Sequence, residues 1–370
     1  MSFEEDDFYQ IYEYVDWVAN TVGRMADGKE EPDFLYSFGL LRDSLSSMEN
    51  LAREIEFSSQ GKGFEIKSNA RGETIAVRKP LGARYYEPLL TFLKHHAFPE
   101  RHAYSPHVSA VCEALQSLDL HRQTVILQDP VSLVPHAGKT GGEIFNDVIE
   151  KIAENVSSRR FKQKLRARKR NSERNEAKGL EIEQKVFESK SRQLVLMLHF
   201  GYQEKHRPRI SLDEIQTHRK KFFNNCRTNK LLRGIVDYIW KLEEGNESGL
   251  HLHVLIFYTA DSCRDVHIAR LIGEYWVKVT GGKGQYWNSN ADKQFHAKYG
   301  HGVGTGEIDW HDEPKREALR RNIRYMTKAD QYLRIKYGDH CRLFGTSQVQ
   351  EKKKPGRPRK QPPPSCNLGE

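Results

Sequence analysis

Two histidines, His251 and His253, are separated by one leucine in the segment SGLHLHVLIFY, residues 248–258. The run of apolar residues that follows is typical of a buried strand. In a strand, alternate side chains share a face, so both imidazoles point the same way, with Leu255 and Phe257 continuing that face. Two imidazoles held side by side can bind one divalent cation. The pair also suits two ordinary polar residues near a strand end, so the surrounding residues must decide.

A carboxylate precedes the histidine pair. The segment GIVDYIWKLEE is typical of a strand and GNES of a turn, which predicts a hairpin with the histidine strand. A loop of about seven residues sets Glu243 opposite His251 on the same face, whereas a shift of one residue turns it away. Glu244 and Glu247, both in the predicted turn, are alternative ligands. Two imidazoles and a carboxylate suit Mg²⁺ or Mn²⁺ with positions left for water and a phosphate oxygen.

A helix predicted over residues 312–338 carries a second set of reactive side chains. At about 100° per residue, one stripe of this helix is apolar and faces the core; it consists of Leu319, Ile323, Met326 and Leu333. A neighbouring stripe consists of Arg321, Tyr325, Lys328 and Tyr332. Such tyrosines are often packing residues with a polar tip. A lysine and an arginine on the same stripe favour a surface that handles phosphate as the competing interpretation.

These residue types together suit phosphoryl transfer. A divalent cation polarises a phosphodiester and stabilises the developing charge, a tyrosine hydroxyl attacks, and a lysine neutralises the phosphate. Tyrosine suits this chemistry because its covalent link conserves the phosphodiester for later rejoining.

The composition bounds the class of protein. A chain of 370 residues has room for about two domains. It has no apolar run of 18 residues and begins with the acidic MSFEEDDFYQIYEY, so we expect neither a membrane span nor a signal peptide. The five cysteines are scattered without a CxxC pair, which favours reduced thiols. We therefore expect a cytoplasmic protein without a membrane partner.

The charge indicates a nucleic-acid partner. The formal net charge is +9, and much of the excess lies in two places. The first is RRFKQKLRARKR, Arg159–Arg170, with eight basic residues in twelve and no acid. Such a run suits either a solvated helical linker or a helix that contacts phosphates, and both interpretations stay open.

The second basic cluster lies in the Pro-rich tail, which we expect to be disordered in isolation. KPGRPRK, Lys354–Lys360, matches the AT-hook pattern around Gly-Arg-Pro. Proline and glycine keep such a backbone thin and extended, so that arginines can enter a narrow minor groove of duplex DNA. The residues expected to bind DNA there are Arg357, Pro358, Arg359 and Lys360. The alternative is a merely basic tail, or a targeting signal in a eukaryotic host.

The motifs in order resemble a known family. HLH behind KLEE, a preceding hydrophobic strand and YMTK on a later helix are similar to the three motifs of HUH endonucleases, which nick single-stranded DNA in rolling-circle replication, conjugation and some transposition. DYIWKLEEGNESGLHLHVLIFY, IGEYW, GQYWNSN, IRYMTKADQYLR and RLFG look like the inovirus-type replication endonucleases, including the YagK/YfjJ C-terminal domain family. The resemblance covers about residues 192–348.

This resemblance implies roles for individual residues. His251 and His253 would bind Mg²⁺ or Mn²⁺, with Glu243 as the third ligand. Tyr325 would be the nucleophile, because it stands three residues before Lys328 as in the YxxK motif. Some relatives use two tyrosines; here the second, Tyr332, would lie about 10 Å further along the helix axis, and its role stays open. Independently of the resemblance, the stripe that Arg321 shares with Tyr325 and Lys328 leads us to expect that Arg321 contacts DNA.

The implied fold is α+β, a central antiparallel sheet flanked by helices, with the histidine strand beside the LVLMLHF strand. We expect a mostly helical region of unknown role at 1–141, a basic helical linker at 142–191, the endonuclease domain at 192–348 and the basic tail at 349–370. The first region would recognise an origin, recruit a host helicase or replisome component, or hold a dimer together.

The implied function is a rolling-circle replication initiator that binds single-stranded and duplex DNA in the bacterial cytoplasm, at the nucleoid or on phage DNA. The alternatives are a non-catalytic prophage DNA-binding regulator built on a decayed nuclease domain, and a transposase or relaxase of the same chemistry.

Overall fold

The computed structural model describes most of the chain between residues 32 and 347. The described ranges are 32–58, 61–71, 73–95, 102–120, 129–134, 137–245, 248–293, 303–328, 333–335 and 342–347. They form two compact units, which divide at residues 174/175, 327/328 and 341/342. None of the helices in these ranges has an apolar stretch long enough to cross a membrane.

The first unit is mainly helical. Its helices are α1 Pro32–Phe57, α2 Pro80–His95, α3 Pro106–Ser117, α4 Gly141–Ser157 and the first half of α5 Arg159–Ser189. Its strands pair antiparallel as β1 Phe64–Ser68 with β2 Thr74–Arg78, β3 His102–Tyr104 with β11 Leu333–Ile335, and β4 Leu133–Val134 with β5 Lys139–Thr140.

A buried polar cluster joins α1 to α3 in this unit. His107 is 3% exposed, and its Nδ1 lies 3.1 Å from Glu49 Oε1 while its Nε2 lies 2.8 Å from Glu56 Oε2. Ser105 caps α3 by accepting a hydrogen bond from the Val108 amide and donates one to Glu49. The cluster thus gives the buried His107 and Glu49 polar neighbours, which offset the cost of their burial. We interpret this cluster as structural.

The second unit contains the six-stranded antiparallel sheet. Its helices are the second half of α5, α6 Leu212–Asn224, α7 Asp265–Val279 and α8 Glu313–Lys328. Its strands are β6 Arg192–Tyr202, β7 Ile235–Gly245, β8 Gly249–Thr259, β9 Gly284–Asn288, β10 Gly306–Asp309 and β12 Phe344–Thr346. The sheet order is β10-β6-β8-β7-β12. Strand β9 also pairs with β6, on a later stretch of β6 than the one that pairs with β10. The predicted α+β class is confirmed, and the histidine strand β8 lies centrally beside β6, as the resemblance implied.

Helices cover both faces of this sheet. On one face the second half of α5 and α8 pack against the sheet; their buried apolar side chains are Ile182, Val186, Phe187, Leu319, Ile323 and Met326. On the other face Phe200 stacks on Trp276 of α7 with ring centroids 5.0 Å apart. Burial on both faces explains why β6 is a nearly continuous apolar segment and does not alternate.

The helical linker predicted over residues 142–191 is interrupted. Ser158 is extended, with φ −66° and ψ 147°, and it separates α4 from α5. Its hydroxyl accepts a hydrogen bond from the Phe161 amide at 3.1 Å, which caps the new helix. The basic block Arg159–Arg170 therefore begins a helix whose second half is part of the sheet's core.

The prediction of one helix as far as residue 338 is wrong. Helix α8 is described to Lys328, and Leu333–Ile335 is the strand β11, paired antiparallel with β3. The Leu-Arg-Ile sequence alternates and contains a β-branched residue, so pairing with β3 overrides the helical pattern. Leu333 is consequently not part of the α8 core stripe. Tyr332 lies outside the described residues.

One side chain bridges a gap in the sheet edge. β6 pairs with β10 at residues 192–195 and with β9 at residues 198–202, which leaves residues 196–197 between the two strands. Asn290 Oδ1 accepts from the Met197 amide at 2.8 Å, and its Nδ2 donates to the Val195 carbonyl at 2.9 Å. The amide of Asn290 thus replaces a strand residue, and Asp265 Oδ2 holds it at 2.8 Å.

Candidate metal centre

The central hairpin has the register that a metal site needs. Glu243 of β7 is paired with His251 of β8, so both side chains leave the sheet on the same face. The pairing continues to Gly245 and Gly249, so the connection is shorter than the predicted loop of about seven residues, while the register is the one that sets Glu243 opposite His251. Gly249 has a φ of +59°, a left-handed conformation that suits glycine.

Of the two alternative carboxylates, Glu244 does not join the site. Glu244 is paired with Leu250 and, because side chains alternate along a strand, faces away from the histidines. Glu247 lies outside the described residues.

The three donor atoms converge. His251 Nε2 lies 3.1 Å from His253 Nε2, which in turn lies 3.1 Å from Glu243 Oε2. Both histidines are 1% exposed, and the Glu243 side chain is 16% exposed. Among the described residues, this is the one group of three or more His, Cys, Asp or Glu side chains close enough to hold an ion.

The backbone fixes the tautomer of His251. Its Nδ1 lies 2.9 Å from the carbonyl oxygen of Gly249 and 3.2 Å from the Ser248 hydroxyl. Because a carbonyl oxygen can only accept, Nδ1 carries the proton. The lone pair is then on Nε2, the atom that faces His253 and Glu243. Hydrogen bonding of the second ring nitrogen is the usual way in which proteins orient a ligating histidine.

His251 and Glu243 have the protonation states in which such groups bind a metal ion. Burial and the neighbouring His253 together lower the pKa of His251 to about 4, so this imidazole is neutral at pH 7. Burial alone would raise the pKa of Glu243, but interactions with the neighbouring Lys241 and His253 hold it well below its usual range. A neutral imidazole beside an ionised carboxylate is the state in which these groups bind a cation.

The donor set fits a divalent cation. Ligands about 2.1 Å from an ion and at right angles to one another lie about 3 Å apart. The two 3.1 Å separations between donor atoms match that spacing. Glu243, His251 and His253 would supply three ligands, and two imidazoles with a carboxylate leave positions for water or phosphate oxygens.

Two further buried residues at the site were not identified from the sequence. Lys241 is 1% exposed, and its Nζ lies 3.0 Å from Glu243 Oε1. His199 of β6 is paired with His253, and their ring centroids are 4.4 Å apart. Lys241 precedes Glu243 by two residues in the same strand, so its position on the same face of the sheet could have been predicted from the sequence. His199 is the one ionisable residue in the apolar run LVLMLHF.

A basic segment adjoins the end of the hairpin. The 3₁₀ helix Glu204–Arg209 follows β6, and its basic residues are Lys205, His206, Arg207 and Arg209. Arg207 Nε donates to the Tyr202 carbonyl at 2.9 Å. A Cβ atom on Gly249 would lie 3.3 Å from Arg207 Cβ, so the arginine stem lies against the hairpin, and its charge also lowers the pKa of His251. The sequence pattern alone did not indicate this segment.

The candidate nucleophile is on the helix that covers the histidine face. Within the core, a Cβ on Gly179 of α5 would lie 2.5 Å from Ile323 and 3.5 Å from Ile239, so Ile323 lies near the Ile239–Leu255 pair. α8 starts after β10, at the Thr259 end of the sheet, and therefore runs toward the histidine end. Tyr325, 7% exposed, follows Ile323 in this direction.

The structure describes the other predicted site residues only in part. Arg321 is an exposed residue of α8. Lys328 ends that helix, and its side chain lies outside the described residues, as do Tyr332 and the tail residues Arg357, Pro358, Arg359 and Lys360. The structure thus brings together Glu243, His251 and His253.

The fold and the site define an α+β domain with a candidate metal-binding triad on its central hairpin. Residues 210–347 match the YagK/YfjJ C-terminal domain family. This match covers less than half of the chain; it contains the triad and Tyr325 but begins after β6 and His199. No curated protein and no solved structure matches the chain.

Proposed function

We propose that the second unit is a metal-dependent endonuclease and strand transferase that acts on single-stranded DNA, of the kind that initiates rolling-circle replication. The convergence of Glu243, His251 and His253 on the central hairpin carries this proposal. The match to the YagK/YfjJ C-terminal domain family supports it.

In the proposed reaction, Tyr325 forms a covalent link to DNA. Its hydroxyl oxygen attacks the phosphorus and loses its proton to solvent. The bond from phosphorus to the 3′ oxygen breaks, and that oxygen takes up a proton as a free 3′-OH. A divalent cation, Mg²⁺ or Mn²⁺, would polarise the phosphodiester when bound. The 5′-phosphotyrosine conserves the phosphodiester, so the reverse attack by a 3′-OH rejoins the strand.

Tyr325 is the proposed nucleophile because it opens the YMTK segment on α8, the helix that covers the histidine face of the sheet. With 7% of its surface exposed, it is held by packing, as the positioning of a nucleophile requires. We propose that Lys328 neutralises the phosphate during transfer, and that Tyr332 is the second candidate nucleophile.

Basic residues supply the proposed contacts to DNA. Arg207 and its 3₁₀ segment lie at the hairpin end, where the backbone of a single strand would approach the triad. Arg321 of α8 would contact the same strand. The tail residues Arg357, Pro358, Arg359 and Lys360 would hold duplex DNA. The first unit would recognise the origin or recruit a helicase or replisome component, with the protein on DNA in the bacterial cytoplasm.

Cleavage of single-stranded DNA tests this proposal. Oligonucleotides from the protein's own genomic neighbourhood are incubated with Mn²⁺ or with EDTA. We expect Mn²⁺-dependent cleavage that is lost in His251→Ala and His253→Ala, with DNA binding largely retained. His311→Ala is the matched control, because His311 is an exposed histidine of the same unit. Cleavage that survives in both triad variants would contradict the metal centre.

The burial of Tyr325 favours a second candidate, a non-catalytic DNA-binding regulator in which this tyrosine only packs. In that case the protein binds the same DNA tightly, and no condition produces cleavage in any neighbouring segment.

A further inference from the structure

Lys241 is a buried cation beside the candidate metal centre. We propose that it is a positioning residue that couples the metal to the DNA: its charge makes the metal-loaded site bind a phosphodiester anion, so that the cation and single-stranded DNA bind cooperatively. This inference rests on the proposed function and names a residue that the metal triad does not include.

The contacts of Glu243 place Lys241 in the site. The two oxygens of this carboxylate have different partners: Oε1 lies 3.0 Å from Lys241 Nζ, and Oε2 lies 3.1 Å from His253 Nε2. In the sheet register Lys241 is also paired with His253. The lysine therefore fixes the carboxylate so that Oε2 stays with the imidazole nitrogens.

Because Lys241 is buried, its charge acts strongly on neighbouring groups. Lysine is rarely buried, yet Lys241 is 1% exposed, between His253 on one neighbouring strand and Phe344 on the other. A charge in such surroundings interacts more strongly than one in water, because less solvent screens it. The ammonium pairs with Glu243 and thereby compensates the carboxylate without any bound cation.

The formal charges then give the coupling. The ion pair between the Glu243 carboxylate and the Lys241 ammonium sums to zero. A divalent cation brings this sum to two positive charges in a buried place, which is unfavourable unless an anion joins it. A phosphodiester supplies that anion. Because coupling between two ligands is reciprocal, DNA must strengthen cation binding by the factor by which the cation strengthens DNA binding.

Without Lys241, the net charge of the metal-loaded site changes. The carboxylate alone would compensate half of the cation's charge, and a neutral side chain at position 241 would not repel the cation. The site would bind the cation more tightly in the absence of DNA and would gain less from DNA.

Mn²⁺ affinity with and without DNA tests this inference. The affinity is measured by electron paramagnetic resonance of free Mn²⁺, in full-length protein carrying both Tyr325→Phe and Tyr332→Phe so that neither candidate nucleophile cuts the strand. With Lys241 present, we expect a single-stranded oligonucleotide to raise the Mn²⁺ affinity by about tenfold or more. With Lys241→Met, we expect tighter Mn²⁺ binding without DNA and an effect of DNA below about threefold.

Three further variants separate charge from structure. Lys241→Arg keeps the positive charge and should keep the coupling. Lys283→Met removes the same charge from a half-exposed lysine paired with Glu214, and should leave the coupling unchanged. If circular dichroism shows that Lys241→Met does not fold, Lys241→Gln replaces it as a neutral side chain that retains hydrogen-bonding groups.

The outcomes distinguish the coupling from the proposed function. Equal coupling with lysine and with methionine at position 241 would overturn this inference and leave the metal centre intact. Mn²⁺ binding that is independent of DNA in the lysine protein would do the same. Failure of Mn²⁺ to bind at all, or of the oligonucleotide to bind, would overturn the proposed function itself.

Discussion

Glu243 and His251 lie directly opposite each other on the two strands of the central hairpin, and their side chains share one face of the sheet. This pairing brings a carboxylate to an HxH pair, so that Oε2 of Glu243 lies 3.1 Å from His253 Nε2. A shift of one residue would have turned the carboxylate to the opposite face. The candidate metal centre is thus a consequence of strand register.

The buried histidine predicts a pH-dependent stability in the presence of EDTA. The pKa of His251 is lowered to about 4 in the folded protein, below its ordinary value, so the unfolded chain binds more protons than the folded one between these values. Stability is therefore fully present above about pH 6.5 and is lost as the pH falls toward 4. We expect this group to contribute a loss of roughly 2–3 kcal/mol between pH 7 and pH 4.5.

Urea unfolding at both pH values measures this loss, with His251→Gln as the comparison that removes the titrating group. The loss between the two pH values should be smaller in His251→Gln than in the unchanged protein. An identical loss in both would show that His251 is not buried in its neutral form.

The close contact between α8 and Gly179 of α5 predicts that a larger residue at position 179 destabilises the protein. A Cβ at this position would lie 2.5 Å from Ile323 Cγ2, which is too close to be accommodated without a shift. Alanine should therefore destabilise the protein by roughly 1–3 kcal/mol through overpacking, although it favours helix formation. Urea unfolding measures this change in the free energy of unfolding.

Ile323→Ala removes the clashing methyl group and provides the control. In the double variant with Gly179→Ala, the cost should be less than the sum of the two single costs. A more stable Gly179→Ala protein would mean that α8 does not pack at this distance.

Much of the second unit was predictable from its strands. The apolar run of β8 and the turn residues at 245–248 predicted the hairpin, and of the registers that the sequence left open the structure has the one that pairs Glu243 with His251. Three residues of the predicted core stripe, Leu319, Ile323 and Met326, are buried on α8. Local periodicity was sufficient there because one face of each element is buried.

The rest of the site depends on pairing between distant strands. His199 reaches His253 through the register of β6 with β8, which no local pattern specifies. Leu333–Ile335 has a helical pattern but pairs with β3, more than 200 residues earlier in the chain. Strands this far apart in the chain pair only when the whole unit folds, so a local sequence pattern does not reveal their pairing.

Lys328 should act in strand transfer. It follows Tyr325 by three residues and is proposed to neutralise the phosphate, so Lys328→Ala should slow transfer more than it weakens DNA binding. Single-turnover cleavage and equilibrium binding of the same oligonucleotide separate the two effects. Lys315→Ala, an exposed lysine near the start of the same helix, is the control. A defect confined to binding would assign Lys328 to DNA contact.

The tail should bind duplex DNA. Deletion of residues 351–370 removes the AT-hook-like segment and should weaken duplex binding and lower its salt dependence, with cleavage of a single strand little changed. Arg357→Ala with Arg359→Ala should have most of this effect, whereas Lys352→Ala with Lys353→Ala removes equal charge outside the motif. Equal duplex affinity after the deletion would contradict the hook.

Mapping the covalent adduct tests the central claim most directly. Single-stranded DNA from the genomic neighbourhood is incubated with the protein and Mn²⁺, the mixture is denatured, and the protein-linked peptide is identified by mass spectrometry. The proposed mechanism predicts a 5′-phosphotyrosine on Tyr325 that disappears in Tyr325→Phe and in His253→Ala. An adduct on Tyr332 would keep the chemistry and change the nucleophile. Tight binding of the same DNA without any adduct would contradict the endonuclease and favour the regulator.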